Sequence, residues 1–220
     1  MVFDAVLFDC DGVLVDSEPI TNRVLRDMLE ARGWRISLPE CMRIFVGTTV
    51  RDHRAAIEAH TGQPLTEAWL AQFRATRDLA LAAELEPIPG VHDAVAAAHR
   101  LTGGRVACAS GADRVKLELQ LQKVGLLPQF AGAIFSGQEL PRNKPHPDVY
   151  LAAAAHWKAD PARCLVIEDT PTGTLAGHAA GATVWAYCPD PARAEALRAA
   201  GASRLFATMS DLQAVLLAAC

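Results

Sequence analysis

The sequence predicts an α/β protein, a doubly wound parallel sheet interrupted after its first strand by a block of helices. Three observations carry this. Short apolar runs without strict polar alternation recur along the chain, as parallel strands covered on both faces require. Longer stretches with helical spacing separate them, which is the rhythm of a Rossmann-like sheet. From residue 17 to residue 86 the rhythm stops, and helical patterns follow one another with no strand between them. Residues 1–16 and 87–220 therefore read as the sheet domain, and residues 17–86 as an inserted helical cap. With 220 residues, 51% of them hydrophobic, the chain can bury a sizeable core.

The first run, DAVLF (4–8), leads into Asp9, Cys10, Asp11 and Gly12. Ser17 and Pro19 then start a helix, Ile20, Val24, Leu25 and Met28 recur at helical spacing, and Gly33 stops it. Further helices are predicted over 41–47, 49–62 and 66–85, and EPIPG (86–90) reads as the return linker. Helices are then expected over 90–101, 113–125, 147–157 and 172–181, with strands at 105–109, 132–135, 164–167 and 183–187. Gly173, Gly177 and Gly181 recur every four residues on one face of the last helix, which suits close packing on the sheet.

Composition narrows the partners. A net charge of -4 and 21 scattered Lys and Arg argue against nucleic acid or an anionic membrane. No apolar run approaches the ~18 residues a membrane span needs, and the N-terminus lacks the features of a secretory signal. The six cysteines show no metal-ligand spacing and sit mostly in apolar runs, as reduced thiols of a cytoplasmic protein do. The histidines show no zinc-type pair. No long heptad pattern is present, so a monomer is expected.

In doubly wound sheets ligands bind outside the carboxyl ends of the strands. That rim gathers Asp9, Ser110 and Asp169. Two carboxylates two residues apart at the end of a buried strand repel each other and are costly to desolvate unless something cationic joins them. VIEDT (166–170) adds Glu168 and Asp169, which makes an oxygen-only site suited to a hard cation such as Mg2+. Lys144, in a proline-stiffened loop, adds a fixed positive charge. Ser110 and Gly111 end a strand before a helix, where a hydroxyl and backbone N–H groups favour phosphate oxygens; Ser110 taken alone reads as a helix cap. These parts fit phosphoryl transfer, in which a carboxylate nucleophile needs cations to absorb charge. A second acid can protonate the leaving alkoxide and then activate water. Asp148 reads as a supporting acid behind the site or a helix-capping acid rather than a catalyst.

DCDGVLVDSE, ASG, KPHPDVY and IEDTPTGTLAGHAAGA resemble, in order, the four motifs of the haloacid dehalogenase-like phosphohydrolase superfamily, and are most similar to its β-phosphoglucomutase-like branch with a helical cap. The resemblance implies Asp9 as nucleophile and Asp11 as general acid and base. It implies Mg2+ held by Asp9, the backbone carbonyl of Asp11 and Asp169, with Glu168 ligating directly or through water. Ser110 and Lys144 would hold the phosphoryl group of a small phosphorylated metabolite. DCDG, FSG and YCPDP are similar to bacterial 6-phosphogluconate phosphatases, which points to a sugar phosphate or sugar-acid phosphate.

Two positions depart from the sugar phosphomutases of the branch. Thr21 stands where they carry a histidine, and Val50 where they carry an arginine, with Arg51 one position later. Both weaken a mutase reading, which stays as the alternative, with a non-enzymatic phospho-aspartate switch behind it. In the cap loop, Gly47, Thr48, Thr49 and Arg51 are candidates to meet the substrate's leaving group as the cap closes; equally, the chain there starts a helix at Thr49.

Overall fold

A computed structural model of the chain describes residues 3–219; Cys220 lies outside them. The chain divides into two units, residues up to Val15 together with those from Pro87 onward, and Asp16–Glu86 between them.

The first unit is built on a six-stranded sheet in the order β3-β2-β1-β4-β5-β6, with every neighbouring pair parallel. The strands are β1 (Ala5–Phe8), β2 (Val106–Ser110), β3 (Ile134–Ser136), β4 (Cys164–Glu168), β5 (Thr183–Tyr187) and β6 (Arg204–Phe206). The strands β1, β2 and β4 are buried at every residue, as their unbroken apolar runs require. Their side chains alternate between two helical layers. Ala5 and Leu7 of β1 pack with Val149, Tyr150, Ala153 and Ala176, whereas Phe8 meets Phe130 edge-on on the other side. Each fully buried Leu or Phe stabilises the fold by about 1.5–3 kcal/mol.

The helical unit holds α1 (Glu18–Glu30), α2 (Leu38–Phe45), α3 (Arg54–Thr61) and α4 (Glu67–Glu84). Ser37 accepts from the Glu40 N–H at 3.3 Å to cap α2, and Thr66 accepts from the Trp69 N–H at 3.2 Å to cap α4. The unit has its own core, in which Val24, Leu25 and Leu29 meet Trp34, Phe45, Ile57 and Phe73. Its two ends are tied by the Asp16 N–H donating to Glu86 O at 3.1 Å. In the sheet unit the exit and return points are paired as well, Val15 bridging Pro87.

The sheet unit continues with α5 (Val91–Thr102), α6 (Arg114–Lys123), α7 (Asp148–His156), α8 (Pro171–Ala179), α9 (Ala194–Ala199) and α10 (Met209–Ala218). The strand β6 and the helices α9 and α10 were not expected from the sequence. β6 spans three residues with an exposed, charged first one, so it leaves no apolar run to read. Gly181 also differs from expectation. Gly173 and Gly177 face the sheet, but Gly181 lies past the end of α8 with φ +82° and nothing near the position of a Cβ. It terminates the helix rather than packing it.

Candidate active site

The order of the strands reverses between β1 and β4, so their carboxyl ends flank the switch point of the sheet. Asp9 is the first residue past β1, and its N–H donates to Ile167 O of β4 at 2.9 Å. That bond sets Asp9 beside Glu168 and Asp169 at the end of β4. Oxygens of these three buried carboxylates lie within 4.8 Å of one another. Asp169 fits because Gly12 makes room for it. A Cβ on Gly12 would lie 2.4 Å from Asp169 Oδ2, and the backbone there has φ +78°. Arg193, a residue the sequence did not flag, donates to Asp169 O at 2.7 Å.

Lys144 reaches this cluster from the loop between β3 and α7. Its buried Nζ donates to Asp9 Oδ1 at 2.7 Å, to Glu168 Oε1 at 2.8 Å and to the Tyr150 hydroxyl at 2.8 Å. Asn143 fastens the loop, its Nδ2 donating to Gly111 O at 2.9 Å and its Oδ1 accepting from the Lys144 N–H at 2.8 Å. Burial opposes the charge on Lys144, but Asp9 and Glu168 outweigh it and hold the ammonium well above its ordinary pKa.

Glu168 is saturated. Besides Lys144, its Oε1 accepts from the Tyr150 hydroxyl at 2.8 Å. Its Oε2 accepts from the Asp169 N–H at 2.9 Å and from the N–H and hydroxyl of Thr170, each at 3.1 Å. Burial alone would raise this carboxyl, yet Lys144 and the other donors bring it below the ordinary carboxylate range. Five donors occupy the lone pairs a carboxylate has to offer. Nearness alone would make Glu168 a direct metal ligand, but this satisfaction argues against it. Its position also depends on Gly173, where a Cβ would come within 1.6 Å of Glu168 Oε1.

Asp9 lacks such support. Burial lifts its carboxyl to about 7, Lys144 opposes the rise, and the charges of Glu168 and Asp11 add to it. A nucleophilic carboxylate at neutral pH therefore calls for more positive charge than Lys144 supplies. An all-oxygen donor set of this size, buried and net acidic, fits a hard divalent cation.

The side chain of Asp11 stands apart from that cluster. Its Oδ1 accepts from Lys116 Nζ at 2.7 Å and from Gln120 Nε2 at 2.8 Å, both on α6. Cys10, between the two aspartates, is buried, and its thiol pKa is pushed well up by a hydrogen bond with Cys108 and by burial. It is an unreactive, packed thiol, as expected of a cysteine in that position.

Ser110 and Gly111 differ in detail from the sequence reading. Ser110 is the last residue of β2, and its Oγ accepts from the Ala112 N–H at 3.2 Å. The helix α6 starts only at Arg114, because Asp113 is the stronger cap and accepts the Lys116 N–H at 3.0 Å. The backbone N–H groups near Ser110 thus belong to a turn, not to the first turn of a helix. Asp148 is the first residue of α7 and pairs with Arg142 at 2.8 Å.

The loop candidates of the helical unit are engaged within that unit. Gly47 turns the chain after α2 with φ +80°. The Thr48 hydroxyl donates to Phe45 O at 2.9 Å and lies 2.8 Å from His53 Nε2. The Thr49 N–H donates to Asp52 Oδ2 at 2.8 Å and precedes a 3-10 turn at Val50–His53. Arg51 is paired with Glu67 at 2.6 Å in solvent.

Residues 3–181 match the family described as haloacid dehalogenase-like hydrolase. Hexitol phosphatase B of Escherichia coli is 35% identical over 80% of this chain and 79% of its own length. 6-Phosphogluconate phosphatase of the same organism is 29% identical over 86% of this chain and 84% of its own. Among solved structures, a haloacid dehalogenase family hydrolase from Deinococcus radiodurans, with bound phosphate and sodium, aligns with a TM-score of 0.79 at 35% identity. That alignment covers 99% of this chain and 96% of the other. Among the described residues no helix is long and apolar enough to cross a membrane.

Proposed function

Since the chain belongs to the haloacid dehalogenase-like hydrolase family and is a phosphatase, we propose that it is a Mg2+-dependent phosphatase of sugar phosphates or sugar-acid phosphates, acting through an aspartyl phosphate on Asp9. Asp9 and Lys144, buried and 2.7 Å apart at the switch point of the sheet, carry this proposal. The substrate class rests on the two similar phosphatases, which are named for a hexitol phosphate and for 6-phosphogluconate. Five buried, free cysteines support a cytoplasmic setting.

In the first step a carboxylate oxygen of Asp9 attacks phosphorus, the bond from phosphorus to the ester oxygen breaks, and Asp11 gives its proton to the departing alkoxide. In the second, water attacks the phosphorus of the aspartyl phosphate and passes a proton to Asp11, releasing inorganic phosphate and restoring Asp9. Lys144, the Ser110 hydroxyl and the Gly111 N–H hold the transferring oxygens. Asp9, Asp169 and the carbonyl of Asp11 would hold Mg2+, while Glu168, its oxygens satisfied by five donors, would hold Lys144 in place rather than meet the ion. Bound there, the ion offsets the repulsion between a phosphate dianion and an ionised Asp9.

The test is phosphate release from a panel of hexitol phosphates, hexose phosphates and 6-phosphogluconate, in Mg2+ and in EDTA. Release from one or a few members, abolished by EDTA and restored by excess Mg2+, is expected. Release that ignores EDTA would remove the metal from the proposal, and a folded enzyme releasing phosphate from no member would remove the substrate class.

A further inference from the structure

The buried face of α6 is unusual for a helix packed on a sheet. It consists of Lys116, Leu117, Gln120 and Leu121, while Val115 on the same helix is 68% exposed. A buried ammonium is costly to desolvate, and an apolar residue in its place is often neutral or stabilising. Packing therefore gives no reason for Lys116 and Gln120 to occupy that face. Their shared contact does, since both donate to one atom, Asp11 Oδ1, at 2.7 and 2.8 Å.

The orientation of Gln120 is itself determined. The Cys10 thiol donates to Gln120 Oε1 at 3.4 Å, which fixes the amide oxygen toward Cys10 and turns its NH2 group to Asp11. Lys116 is anchored at its backbone by the cap on Asp113. Two donors one helical turn apart, converging on one oxygen, restrict the rotamers open to the Asp11 carboxylate.

We propose that Lys116 and Gln120 are positioning residues that hold the general acid and base, Asp11, in place, with Cys10 setting the orientation of Gln120. The proposal rests on the role given to Asp11 above. Pre-orientation of a proton donor lowers the barrier where the leaving group needs its proton, and matters little where it does not. A sugar alkoxide needs that proton; p-nitrophenolate leaves without it.

The experiment compares kcat/KM, which reports the steps through phosphorylation of Asp9 and not the later hydrolysis that also uses Asp11, for p-nitrophenyl phosphate and for the sugar phosphate that wild type turns over fastest. Lys116→Met should lower the sugar phosphate kcat/KM by about 10- to 100-fold, the range a misplaced catalytic group costs. It should lower the p-nitrophenyl phosphate kcat/KM by less than about threefold, proton donation being dispensable for that leaving group. Gln120→Leu, uncharged and close in size, should show the same pattern more weakly, and it serves as the test if Lys116→Met does not fold. In an Asp11→Asn background, Lys116→Met or Gln120→Leu should cost nothing further, because each acts through Asp11. Equal losses on both substrates, or losses that add to that of Asp11→Asn, would overturn the proposal. If Asp11→Asn itself fails to discriminate between the two leaving groups, the role of Asp11 is what falls.

Discussion

In the sheet unit Lys144 and Lys116 lie buried against Asp9, Glu168 and Asp11, whereas in the helical unit Arg23, Arg51 and Arg54 pair with Glu84, Glu67 and Glu58 in solvent. The distances are similar and the energetics are not. A buried pair must recover the desolvation of both ions, so it is a poor way to stabilise a fold. An exposed pair gives up little hydration and returns little. Lysines kept buried against the acids at the ends of β1 and β4 therefore point to chemistry, and these three exposed pairs of the helical unit point to a solvated surface. Two glycines make room for the buried acids. Gly12 and Gly173 leave room for Asp169 and Glu168, whereas Gly33 and Gly62 of the helical unit have nothing near them.

This contrast can be broken at either end. The largest effect should come from Asp9→Asn, which is close to isosteric and removes the nucleophile. Turnover should fall by about 10^4-fold or more, with the melting temperature unchanged or raised, since a buried charge is lost. Initial rates of phosphate release and a thermal melt check both halves. Next is Gly173→Ala. Its added Cβ meets the Glu168 carboxylate, so stability should drop by about 1–3 kcal/mol in denaturant unfolding. Activity should drop with it, because Lys144 loses its anchor. An alanine that leaves both untouched would mean Glu168 is free to move, against the five bonds seen.

Arg51→Ala should have the smallest effect. The Arg51 guanidinium hydrogen-bonds Glu67 and holds its carboxyl below the ordinary range, so the pair contributes at neutral pH and its contribution is lost as the pH falls through that lowered value. The melting temperatures of wild type and Arg51→Ala should therefore differ slightly at neutral pH and low salt, and converge in acid or in high salt. A large loss of melting temperature would show the helical unit to be more dependent on charge than its exposure implies.

Much of the site was legible in the sequence because each main residue directly follows or ends an apolar strand. Asp9 follows β1, Ser110 ends β2, and Glu168 and Asp169 close β4. Once the strands are read as parallel, their carboxyl ends share one rim. Lys116, Gln120 and Tyr150 were missed because they sit on helices, where the local pattern conceals them. In RVKLELQL the apolar residues Val115, Leu117, Leu119 and Leu121 alternate with period 2, so no helical face stands out. Reading Lys116 and Gln120 together with Leu117, Leu121 and Val124, at spacings of one, four, five and eight residues, would have found the buried face. Tyr150 lay within a quoted motif, but only the fold shows its hydroxyl between Lys144 and Glu168. In the helical unit the elements were legible and their boundaries less so. Pro39 at the start of α2 moves that helix to Leu38–Phe45, three residues ahead of the expected start.

The most direct test of covalent transfer through Asp9 is mass spectrometry of the Asp11→Asn enzyme quenched in acid shortly after mixing with Mg2+ and p-nitrophenyl phosphate. That substrate phosphorylates the enzyme without a proton donor, and the variant lacks the base that would release the phosphate. A single added phosphoryl group on the peptide containing Asp9, absent when Asp9→Asn is combined with Asp11→Asn, is the predicted result. Rapid p-nitrophenol release with no phosphoryl group on that peptide, or one located elsewhere in the chain, would contradict it.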